Sequence, residues 1–118
     1  MTAYALAHLY PGEPHAEVVT YIERIQDTLD PYRGRFLVHG AEVETLEGDW
    51  PGTVVIIAFP GMEQARAWYG SPAYRALLPL RTRHMDGDTI LVRGVPEGYD
   101  PRETARRVRE RTEAAARP

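Results

Sequence analysis

The chain has 118 residues, 43% of them hydrophobic, and a formal charge of −3 at neutral pH. That length carries one domain with one core, and the mildly acidic balance, with no basic stripe through the body, argues against nucleic acid as a partner. No apolar run approaches a membrane span, and Met1-Thr2-Ala3-Tyr4 lacks a charged segment leading into an apolar one. A cytoplasmic protein with no membrane partner is therefore expected.

The missing residue types narrow the chemistry further. There is no cysteine, lysine or asparagine, and Ser71 is the only serine. Disulfides, thiolate metal sites and cysteine nucleophiles are excluded. Schiff-base chemistry goes with the lysines, so every fixed positive side-chain charge is an arginine. What remains is acid/base work by His, Asp, Glu or Tyr, and the holding of anions by Arg.

From Ala3 to Tyr10 the side chains alternate, with Tyr4, Leu6, His8 and Tyr10 on one face and Ala3, Ala5, Ala7 and Leu9 on the other. A period of two predicts a strand. Pro11-Gly12-Glu13-Pro14 breaks it, and from His15 to Leu29 the residues Val18, Ile22, Ile25 and Leu29 trace one face of an amphipathic helix, stopped at Asp30-Pro31. After a turn at Arg33-Gly34, a long extended segment is expected from Arg35 to Glu47, with a bulge or kink at Gly40. Trp50-Pro51-Gly52 leads into Thr53–Phe59, whose run Val54-Val55-Ile56-Ile57-Ala58-Phe59 is apolar on both faces. A second helix is predicted over Met62–Tyr69, restarting at Ser71-Pro72, where serine caps and proline takes the first turn. Asp86-Gly87-Asp88 turns the chain into a last strand, Thr89–Val95. Residues 97–118 read as a separate charged helix or tail, beginning at Asp100-Pro101, behind a domain of residues 1–96.

The order is β-α-β-β-α-β, the split βαβ pattern of ferredoxin-like α+β proteins, with a four-stranded antiparallel sheet and a C-terminal helix. Both helices then cover one face of the sheet. A strand apolar on both faces must be covered on both, and a second copy of the chain supplies the missing layer, so a homodimer is expected.

Several residues could carry chemistry. Arg35 and His39 stand four apart on one predicted strand, which puts them on one face, suited to holding and protonating an anionic ligand. The plainer alternative is a pair satisfied by Glu42 or Glu47. His8 on the first strand is a candidate general base or a structural histidine. Trp50, Trp68, Tyr69 and Tyr74 form an aromatic set fit for a pocket wall or a core; for Trp68 the core is the better reading. His84-Met85-Asp86-Gly87-Asp88 lacks a second histidine at helical or strand spacing, so no metal is assigned.

Four stretches together resemble the DUF1330 proteins. They are Arg33-Gly34-Arg35-Phe36-Leu37-Val38-His39-Gly40, Leu46-Glu47-Gly48-Asp49-Trp50, Phe59-Pro60 and Ala67-Trp68-Tyr69-Gly70-Ser71-Pro72-Ala73-Tyr74. The resemblance runs from about Tyr4 to Gly94 and implies a dimeric α+β barrel, without an established activity. It departs at two places. Two glycines usually precede the Gly-Arg-Phe arginine, where this chain has Arg33-Gly34, and an arginine followed by two glycines usually stands where this chain has His39-Gly40-Ala41.

The expectation is an enzyme of small-molecule metabolism with no cofactor. His39 or His8 would be the acid/base, Arg35 and Arg81 would hold a small polar or anionic organic substrate, and Trp50, Trp68 and Tyr69 would form the apolar wall. A non-catalytic binding or sensing module and a purely structural dimer are the alternatives.

Overall fold

Alternation makes β1 (Ala3–Leu9) the centre of the sheet. In the computed structural model, which describes residues 1–118, β1 pairs antiparallel with β3 (Thr53–Phe59) on one side and β4 (Gly87–Arg93) on the other. The short β2 (Arg35–His39) adds antiparallel to β3, giving the order β2-β3-β1-β4. Helices α1 (Ala16–Leu29), α2 (Met62–Tyr69), α3 (Pro72–Leu77) and the single turn α4 (Pro79–Thr82) join these strands, and α5 (Pro101–Ala116) ends the chain. This is the ferredoxin-like α+β build expected from the sequence.

Helix boundaries follow their caps. His15 begins α1, its Nδ1 accepting the Glu17 N–H at 3.0 Å. The Ser71 hydroxyl accepts the Tyr74 N–H at 3.3 Å, and Pro72 takes the first position of α3. Asp100 caps α5 in the same way, accepting the Arg102 N–H at 2.9 Å. Each cap satisfies an amide that the helix itself leaves free. All of α5 is exposed.

The core lies between the helices and the β1 face that carries Ala3 and Ala5. Leu29, Phe59 and Tyr74 are its largest wholly buried side chains. Along α1 the buried stripe is Tyr21, Ile25, Thr28 and Leu29, while Ile22 stays 49% exposed. The expected stripe through Ile22 is thus rotated toward Tyr21 and Thr28. Thr28 is compatible with burial because its hydroxyl donates to the Ile25 carbonyl at 2.7 Å and accepts the Trp68 indole N–H at 3.0 Å.

Two further expectations are corrected along β2. The strand stops at His39 rather than Glu47, because Gly40 turns away with φ +68° and β3 itself begins only at Thr53. The irregularity expected at Gly40 also lies earlier. Phe36 pairs with Ile57 and Val38 with Ile56, so Leu37 is the extra residue of a bulge. The bulge reverses the side-chain alternation. Arg35, opposite Ala58, points away from the helices, whereas His39, opposite Val55, points to the helix side.

Arg33 has φ 61°, the left-handed region. This is one of the positions where glycine is usual in the resembling proteins, and glycine reaches that conformation without strain. Gly34 next to it is a packing glycine, since an added Cβ would meet Leu29 Cδ2 at 2.7 Å.

The second face of the sheet carries Tyr4, Leu6, His8, Val54 and Ile56, with Ile90 and Val92 on β4 53% and 43% exposed. No helix of the chain covers it.

Candidate functional site

Two alanines on the helix side of β1 determine what lies beneath α1. Ala5 and Ala7 are too small to reach the helix, and a cavity of about 180 Å³ opens over Ala5, Ala7 and Val55, roofed by Ile22 and Ile25. Trp68 walls it, and the exposed His39 and Gly40 line its β2 edge. No aspartate or glutamate lines it.

Three polar side chains meet in this apolar hollow. Tyr21 comes from α1, Tyr74 from α3 and Arg81 from α4. The two tyrosine hydroxyls are 2.7 Å apart, and the Arg81 guanidinium lies over the Tyr21 ring, 5.5 Å from its centroid. Burial, reinforced by the neighbouring Tyr21, pushes the Tyr74 hydroxyl well above the ordinary tyrosine range, with Arg81 opposing in part. Tyr74 is thus a neutral hydroxyl at physiological pH. Burial works against the charged form of Arg81, but the Tyr21 and Tyr74 oxygens beside it outweigh that and hold its pKa above the ordinary value. Arg81 is 8% exposed and makes no ion pair with any carboxylate. An arginine so buried is ordinarily paired.

The expected site residues divide among four places. Trp68, Arg81 and His39 line the cavity, His39 with its ring stacked on Phe36 at 4.3 Å. His8 and Trp50 lie together on the second face of the sheet, their rings stacked at 3.9 Å, with His8 Nε2 accepting the Gly52 N–H at 3.1 Å. Arg35 sits at the far end of β2 near Arg33 and Pro60, outside the cavity. Tyr69 is half-buried beside Trp68 and Tyr74, under the Arg75 guanidinium, and does not line the cavity either. The shared face expected for Arg35 and His39 is lost to the bulge at Leu37.

Sequence reasoning missed Tyr21, which pairs with Tyr74 and covers Arg81. The available signal was a polar-tipped aromatic one residue before Ile22, on the edge of the apolar stripe.

A second cluster gathers at the start of α1. His84 Nε2 and Glu17 Oε1 are 2.7 Å apart, Arg83 donates to the other Glu17 oxygen at 3.1 Å, and the His15 and His84 rings stack at 3.7 Å. The hydrogen bond to His84 is the main reason the half-buried Glu17 carboxyl lies below the ordinary range. These are metal-ligand residue types within reach of one another. Their rings, however, lie in nearly parallel planes, so one imidazole would have to turn before a single ion could meet both lone pairs. As arranged, the cluster is an ion-pair network tying α1 to the segment after α4.

Solved structures share this fold. A protein of unknown function from Rhodopseudomonas palustris superposes with a TM-score of 0.63 at 16% identity, over 80% of this chain and 83% of that one. A variant of SnoaB, a cofactor-independent oxygenase from Streptomyces nogalater, gives 0.55 at 13% identity over 84% and 98%. A dimeric ferredoxin-like protein of unknown function from Thermobifida fusca gives 0.54 at 18% identity over 77% and 89%. No curated protein matches the chain. The model of DUF1330, a domain of unknown function, matches residues 2–95, which takes in the whole sheet and the cavity, and the chain belongs to that family.

Proposed function

We propose that the chain is a small-molecule enzyme, acting as a homodimer and without a cofactor, whose substrate occupies the cavity beneath α1. The observation that carries this reading is the buried Arg81, without a carboxylate partner, beside two tyrosine hydroxyls in a mostly apolar hollow. A fold gains nothing by burying a charge without a counter-charge, whereas a site for an anion, or for negative charge developing on oxygen, needs one. His39 at the cavity edge is the acid/base, moving a proton on substrate carbon or oxygen while Arg81 holds the charge that results.

The homodimer follows from the second face of the sheet. Leu6, Val54, Ile56, Ile90 and Val92 stand on it with no helix to cover them, and the Thermobifida fusca protein of the same build is described as dimeric. The likeness to SnoaB supports only that a ferredoxin-like chain of this size can house cofactor-independent chemistry.

A binding module without chemistry is the second reading. It is favoured by the lining itself, which offers no carboxylate and only His39 as a base, beside a Tyr74 hydroxyl that burial keeps neutral. Deuterium exchange separates the two. Small carbonyl compounds and carboxylates that raise the melting temperature would be incubated with the protein in heavy water and followed by mass spectrometry. The enzyme reading expects carbon-bound hydrogen to exchange or the compound to turn over, and His39→Gln to abolish this while binding persists. Binding with no exchange or turnover of any hit would leave a binding module.

A further inference from the structure

Arg81 lacks the partner that its burial calls for. Of the 17 acidic side chains, none makes an ion pair with it and none lines the cavity. The polar neighbours it does have, the Tyr21 and Tyr74 hydroxyls, are already engaged with each other at 2.7 Å. A guanidinium presents five N–H donors in a flat fork that matches two oxygens in one plane. The rest of the cavity lining is mostly apolar, with Ala5, Ala7, Ile25 and Trp68 among it.

We infer that the molecule occupying this cavity is a small organic monocarboxylate, whose carboxylate is the counter-ion of Arg81 and whose hydrocarbon body fills the space over Ala5 and Ala7. The inference rests on the cavity being the ligand site, as proposed above, and adds the charge, the head group and the size. Charge follows from the single fixed cation. A planar head group follows from the fork, and one tyrosine hydroxyl can turn from its neighbour to donate to the carboxylate. Size follows from the volume: about 180 Å³ compares with the cavity of about 150 Å³ that accepts benzene in an engineered protein. A single ring or a chain of comparable bulk fits. A dianion such as phosphate is disfavoured, because Arg81 is the one fixed cation on the lining and most of the remaining wall is apolar.

The test is calorimetric titration of the full chain at neutral pH with benzoate and hexanoate, each set against neutral counterparts of the same shape, benzamide and hexanamide. The carboxylates should bind at least tenfold more tightly than their amides, the difference expected of a charge-assisted over a neutral hydrogen-bonded contact. Arg81→Gln should erase that preference, weakening the carboxylates far more than the amides, and Arg81→Lys should restore part of it. The wild-type comparison alone decides the matter if Arg81→Gln does not fold. Amides binding as tightly as carboxylates would overturn the carboxylate assignment and leave the cavity reading intact. A carboxylate preference that survives Arg81→Gln would also overturn it, placing the anion on another arginine. Binding of none of the four compounds at millimolar concentration would overturn both.

Discussion

Filling the cavity tests whether its space is real. Ala7 lies midway along β1, opposite Val55 and Thr89, all three on the cavity lining. Ala7→Leu adds three carbons pointing into a hollow of about 180 Å³. At about 0.8 kcal/mol for each methylene removed from water, the gain is up to roughly 2.4 kcal/mol. Ordering the new side chain costs about 0.5–1 kcal/mol. The variant should therefore be more stable by about 1.5 kcal/mol, which for a chain of this length raises the melting temperature by roughly 5–8 °C. It should also lose binding of any molecule that needs the space. Urea denaturation and thermal melting measure the first effect. In a site already packed to normal density the same change would cost about 1–3 kcal/mol instead. A destabilised Ala7→Leu would therefore refute the claim that Ala5 and Ala7 leave usable room beneath α1.

The other predictions concern the second face, the backbone and the tail. Ile56→Asp places a carboxylate on the uncovered face of β3, where it should turn the proposed dimer into a monomer with an intact fold; sedimentation equilibrium reads the mass, and an unchanged dimer would mean that another surface makes the contact. Arg33→Gly relieves a left-handed backbone conformation and should stabilise the protein by about 0.5–1 kcal/mol, the residual after glycine's greater unfolded-state entropy. A neutral or negative effect in urea denaturation would show that the side chain contributes what the backbone loses. Deleting residues 97–118 should leave a core that melts cooperatively, since every residue of α5 is exposed; loss of that cooperativity would make the tail part of the domain.

Much of the fold is legible in simple periodicities. Alternation in Ala3–Leu9, the two-sided apolar run of β3, and the Ser71-Pro72 cap each report a local rule that the packed structure obeys. The site is less legible, for identifiable reasons. Placing Arg35 and His39 on one face assumes unbroken alternation, and the single extra residue at Leu37 inverts everything after it. Reading the α1 stripe through Ile22 differs from the buried stripe through Tyr21 by one residue. That single step separates an all-apolar helix face from one that carries a hydroxyl into the core. Arg81 sits in a run, Leu77-Leu78-Pro79-Leu80-Arg81, whose hydrophobicity hints at burial, but only the fold shows that no carboxylate follows it inside. His8 and Trp50 illustrate the reverse. Both are residue types that suit a pocket, and both lie on the opposite side of the sheet from the one the chain encloses.

The two tryptophans provide the most direct test, because they report on opposite faces. Trp68 lines the cavity, while Trp50 stacks on His8 outside it. The Trp50→Phe protein, with Trp68 as its sole indole, would be titrated with benzoate and benzamide while its fluorescence is followed, alongside Trp68→Phe as the converse. The account predicts a saturable change in Trp68 emission and a flat response from Trp50. A saturable response from Trp50 with Trp68 silent would place the ligand on the outer face of the sheet and contradict it.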